Sequence, residues 1–81
     1  MADEVETKLD VYNKRLDALD IHEPSNKVRR CVVNTRYCLR HQNGALTDAQ
    51  EQYLRDCEVL SIRFRLLQGE TVTVDEWEMI F

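Results

Sequence analysis

The sequence predicts an all-α fold: a small three-helix bundle whose second and third helices form an antiparallel hairpin, with a short C-terminal helix. Apolar residues recur at alternating steps of three and four along three long segments, and cap and stop residues fall at the ends of those segments rather than inside them. The length points the same way. Eighty-one residues with 43% hydrophobic content leave room for one small core, so residues 1–81 read as a single helical domain.

In the first segment Val5, Leu9, Tyr12, Leu16 and Leu19 share one stripe of a helix expected from Ala2 to Asp20. The pattern lasts about two and a half heptads, too short for a free coiled coil and suited to a bundle seam. His22-Glu23-Pro24-Ser25 then breaks the chain, because Pro24 disfavours helical geometry at Glu23 while Ser25 can cap a new first turn. The second helix is expected from Ser25 to Gln42. Val28, Cys31, Val32, Thr35, Cys38, Leu39 and Gln42 fall within an arc of about 120°, and Asn43-Gly44 supplies a left-handed stop.

Thr47-Asp48-Ala49-Gln50 fits a capping box, in which hydroxyl and amide side chains satisfy each other's backbone N–H groups. Tyr53, Cys57, Leu60, Phe64 and Leu67 form the expected core stripe of a third helix of roughly 33 Å that Gly69 ends. The tight connection from Gly44 to Leu46 makes helices two and three antiparallel. Thr71 to Val74 alternates like a strand, but a lone strand has no pairing partner, and Thr73 with Glu76 forms a second capping box. A short terminal helix follows, with Val74, Trp77, Ile80 and Phe81 on one face that must dock on something.

The charges exclude some roles. Lys and Arg number 11 against 15 Asp and Glu, a net charge of −4, which is the wrong sign for general nucleic-acid binding. No apolar run approaches the ~20 residues that span a bilayer, and the acidic N-terminus is unlike a signal peptide, so a cytoplasmic protein without membrane contact is expected. Cys31, Cys38 and Cys57 read as free thiols of a reducing compartment, and no asparagine opens a glycosylation sequon. Cys38 and His41 have the spacing of two metal ligands, with Cys57 as a third, but zinc needs four; no metal, cofactor or catalytic residue is assigned. His22, His41, Asp75, Glu76 and Glu78 read as surface and capping charges.

Two features suggest binding. The third helix carries Val59, Ile62 and Leu66 opposite its expected core stripe, so that side needs cover from the C-terminal tail, a second copy or a target. Val59, Ile62, Leu66, Trp77 and Phe81 are therefore the expected protein-interaction residues of a non-enzymatic helical protein, a homodimer or higher oligomer that masks a surface of a larger protein. The alternative is capture of an anionic ligand or nucleotide by Arg29, Arg36 and Arg40, which project along one line of the second helix. Residues Ser25 to Asn43 hold five bases and no acid, so these arginines can equally pair with acids of the first helix and the tail. In size, acidity, free thiols and lack of a catalytic signature the chain resembles small accessory or host-inhibitory proteins of bacteriophages, anti-CRISPR proteins among them. That resemblance implies an accessory or inhibitor role and transfers no residue role.

Overall fold

Hydroxyl caps set where the helices begin. The computed structural model describes residues 7–22 and 25–80, and among these the order is α1 (Lys8–His22), α2 (Asn26–His41), α3 (Asp48–Leu67) and α4 (Val74–Ile80). The Thr7 hydroxyl accepts the Asp10 N–H at 3.2 Å, and the Ser25 hydroxyl accepts the Val28 N–H at 3.3 Å. Both expected capping boxes are formed. At Thr47 the two bonds with Gln50 measure 3.2 and 2.8 Å, and at Thr73 those with Glu76 measure 3.1 and 2.9 Å. Each cap satisfies amide groups that the helix itself leaves without acceptors.

The first helix differs from expectation at both ends. It starts at Lys8, because Thr7 caps it, and it runs past Asp20 to His22; Ala2 and Val5 lie outside the described residues. At the other turns Asn43 (φ 56°) and Gly44 (φ 81°) adopt the left-handed stop, and the Gly44 N–H donates to the Leu39 carbonyl at 2.8 Å. Gly69 (φ 84°) ends α3 in the same way, with the Glu70 N–H on the Arg65 carbonyl at 2.9 Å.

The bundle is all-α. Tyr12, Leu16 and Leu19 of α1 meet Val28, Cys31, Val32 and Leu39 of α2 and Leu54 and Cys57 of α3 in one core, with Leu46, Tyr53 and Leu60 packed at its edge. Leu16, Val28, Cys31, Leu54 and Cys57 are wholly enclosed, and each large apolar side chain so buried contributes about 1.5–3 kcal/mol. Among the described helices, α4 packs against α3.

The face of α3 is a correction. Leu54, Cys57, Ser61 and Ile62 are its buried residues, whereas Phe64 and Leu67 of the expected stripe are 38% and 85% exposed. The helix is turned by roughly a quarter of a revolution from the expected orientation. Its second half is apolar on several sides, so greasiness alone does not choose a face. Glu58 favours the observed face, because there it meets the oppositely charged Arg15 of α1.

Candidate functional site

Two regions concentrate chemistry: a groove between α1, α3 and α4, and the outward face of α2. The groove, about 330 Å³ in volume, has a floor of Ala18, Leu19, Ile62 and Met79 and rims of charge. On one rim Arg15 of α1 grips Glu58 of α3 with two parallel hydrogen bonds of 2.7 Å and reaches Glu51, two turns away on the same helix, at 3.1 Å. The Arg15 guanidinium also lies 5.7 Å from the centre of the Tyr12 ring. These bonds, the one to Glu58 foremost, push the Arg15 pKa up. Hydrogen bonding to Glu51, then burial, raises that of Tyr12. Burial works against the charge of Glu51, yet its bonds from Tyr12 and Arg15 outweigh that and hold its carboxyl below the ordinary value.

On the other rim Arg65 of α3 is paired with Glu76 of α4, which also accepts the Thr73 N–H. The Arg65 bond is the main reason that the Glu76 carboxyl stays below the usual carboxylate range. The Arg65 Nε–H is buried without a hydrogen-bond acceptor, so the pairing leaves one donor of the guanidinium unsatisfied. Both rims are closed by pairs inside the protomer, Arg15–Glu58 joining α1 to α3 and Arg65–Glu76 joining α4 to α3.

The expected interaction residues separate. Ile62 is buried at 3% exposure, and Val59 and Leu66 are half-buried, so the side of α3 expected to need outside cover is largely enclosed within the protomer. Trp77 is 48% exposed and Val74 76%; α4 turns Glu76 and Ile80 inward, so the expected face of Val74, Trp77 and Ile80 is divided between interior and surface. Phe81 lies outside the described residues. The three arginines of the expected line are all exposed, and Arg36 is bonded to Asp17 of α1 and lies 3.9 Å from Asp20. Arg40 edges a shallow groove with Asn13, Asp17, Asn43 and Gly44.

Cys31 and Cys57 are fully buried, the Cys31 thiol lies 3.9 Å from both the Thr35 hydroxyl and the Tyr53 carbonyl, and burial raises both thiol pKa values. Cys38 is half-buried and accepts the Gln50 amide at 3.2 Å. No group of three or more His, Cys, Asp or Glu among the described residues is placed to hold a metal, and no described helix is long and apolar enough to cross a membrane.

The outward face of α2 was not singled out by the sequence. Val33 is 61% and Tyr37 64% exposed, and the Tyr37 ring lies 4.1 Å, centre to centre, from that of His41. Arg30, Val33, Tyr37 and Arg40 follow steps of three, four and three, so two bases bracket two apolar groups along one exposed stripe. The signal was present. Val33 and Tyr37 sit well over a right angle from Val28 at 100° per residue, where an inward stripe leaves no place for them. Comparison with known proteins finds no matching family model, no similar curated protein and no similar solved structure.

Proposed function

We propose that this chain is a non-enzymatic protein-binding protein that covers an acidic surface of a larger protein with the outward face of α2. One observation carries the reading: Val33 and Tyr37 stand more than 60% exposed within a helix whose flanks, Ser25 to Asn43, hold five bases and no acid. An exposed aromatic beside guanidinium groups is the usual make-up of an interface anchor, and the surrounding positive charge speeds encounter with an acidic partner. Buried, inert thiols at Cys31 and Cys57 fit packing groups rather than nucleophiles, and three free thiols suit a cytoplasmic setting. An accessory or inhibitory role is of the same kind, since a domain this small acts on a larger protein by masking it.

Phosphate capture by Arg29, Arg36 and Arg40 is the weaker alternative, because Arg36 is already held by Asp17 and Asp20. The test is capture from the native host with the chain immobilised, alongside Arg30→Glu/Tyr37→Ala. A protein retained by the parent and lost on the variant, with the variant still helical, is expected. The same proteins on both supports would overturn the reading.

A further inference from the structure

We infer that in the free protein the outward face of α2 is occupied by the outward face of α4 from a second copy of this chain. The inference rests on the reading of α2 as a docking face and names what sits there when no larger partner is bound.

The charge segregation is the first ground. Ser25 to Asn43 hold five bases and no acid, and Gly69 to Phe81 hold four acids and no base. Each region also exposes apolar side chains at its centre. On α2 these are Val33 and Tyr37, between Arg30 and Arg40; on α4 they are Val74 and Trp77, beside the exposed Asp75 and Glu78. Val74, Trp77 and Glu78 lie one helical turn apart and share a face, while Glu76 is turned the other way to Arg65.

The second ground is that these complementary faces lie apart within one protomer: among the described helices α4 packs on α3, and its backbone does not approach that of α2. They can meet only between copies. Lengths match as well: α4, at seven residues, spans about 10 Å, and the Arg30 to Arg40 stripe about 15 Å, so one face seats within the other. Glu78, with Asp75 at the edge of the same face, then lies toward the bases of the α2 stripe, and Trp77 and Val74 cover Tyr37 and Val33. The contact joins two different patches, so it closes either through a two-fold axis that uses it twice or into a small ring. A larger partner with a stronger acidic surface displaces the second copy, which makes self-pairing a cover for the docking face.

The experiment is sedimentation velocity of the full chain over a wide concentration range, with two charge-reversed variants at exposed positions. Arg30→Glu/Arg40→Glu makes α2 acidic, and Asp75→Lys/Glu78→Lys makes α4 basic. The parent is expected to associate reversibly. Each variant alone is expected to dissociate at concentrations roughly tenfold higher than the parent, and their equimolar mixture to regain association. The mixture is the decisive sample, because only a contact between α2 of one copy and α4 of another is restored by mixing. A parent that stays monomeric, variants that associate like the parent, or a mixture that does not recover would each overturn the inference. Circular dichroism confirms that both variants keep parental helicity. The α4 variant also separates the two readings, since it is expected to lose self-association yet still capture the larger partner through an unaltered α2.

Discussion

Arg15 and Glu58 are joined by two parallel hydrogen bonds, Nε to Oε2 and Nη2 to Oε1, both 2.7 Å long, across the seam between α1 and α3. Their side chains are 26% and 15% exposed, between the surface regime, where a pair contributes about 0–1 kcal/mol, and the buried one, where breaking a pair costs about 3–5 kcal/mol. Arg15→Ala also removes a bond from Glu51 and takes the guanidinium away from the Tyr12 ring. It is expected to lower stability by about 2 kcal/mol, a fall in Tm on the order of 10 °C for a domain of this size. Glu58→Ala leaves the Glu51 bond in place and is expected to cost less. Thermal unfolding of the two single variants and the double variant checks this: a coupling near zero would mean that the bonds do not hold the seam.

The same pair explains how much of the fold was legible beforehand. The Thr47 and Thr73 caps and the stops at Gly44 and Gly69 are local chemistry, readable from neighbours three or four residues apart, and each stands where the sequence puts it. The orientation of α3 was not legible, because Leu60, Phe64 and Leu67 make as good a stripe as Leu54, Ser61 and Ile62 when only spacing is considered. Glu58 favours the second through a partner 43 residues away, Arg15. Local periodicity carries no such information. The same limit hid the binding surface: Val33 and Tyr37 became visible as exposed only once the positions of α1 and α3 around α2 were known.

Acid should loosen the bundle through two carboxylates. Glu76 is held below its ordinary 4.5 by Arg65 first and the Thr73 N–H second; Glu51 ends below it despite burial, through Tyr12 and Arg15. A carboxyl with a lower pKa folded than unfolded contributes stability that is present above the unfolded value and lost as pH falls through the folded one. The urea midpoint is therefore expected to be flat above about pH 6 and to fall steadily below about pH 5. Glu76→Gln, which cannot ionise, is expected to start lower at neutral pH and to show a shallower acid slope. An unchanged slope in that variant would remove the Arg65–Glu76 pair from the pH response.

Thiol labelling reports the packing of α2 on α3. Cys31 and Cys57 are at 0% exposure with raised pKa values, so both proton and access disfavour alkylation, whereas Cys38 is only half-buried. Iodoacetamide at neutral pH is expected to add a single label in native buffer, mapped to Cys38, and labels at all three cysteines in denaturant. Intact-mass spectrometry reads the number directly. Rapid native labelling of Cys57 would mean that the two helices open far more readily than their enclosed core implies.

Gly44 and Gly69 provide a paired test of backbone strain against packing. Both adopt positive φ, 81° and 84°, where a side chain of ordinary handedness costs about 1–2 kcal/mol. Replacing either by Ala also removes the same freedom from the unfolded chain, so that contribution is common to the two. They differ in what the added methyl meets. At Gly44 it would lie 3.5 Å from the Cβ of Leu9, an ordinary van der Waals distance, and would extend the cover of a side chain that is 41% exposed; at Gly69 nothing lies within 4 Å. The contacts at Gly44 return a few tenths of a kcal/mol, since each atom pair contributes about 0.1–0.2 kcal/mol. Gly69→Ala is thus expected to lower Tm by about 4–8 °C and Gly44→Ala by slightly less. The reverse order would show that Leu9 cannot accommodate the methyl and that the α1 seam is more tightly held at the hairpin turn than its half-open surface indicates.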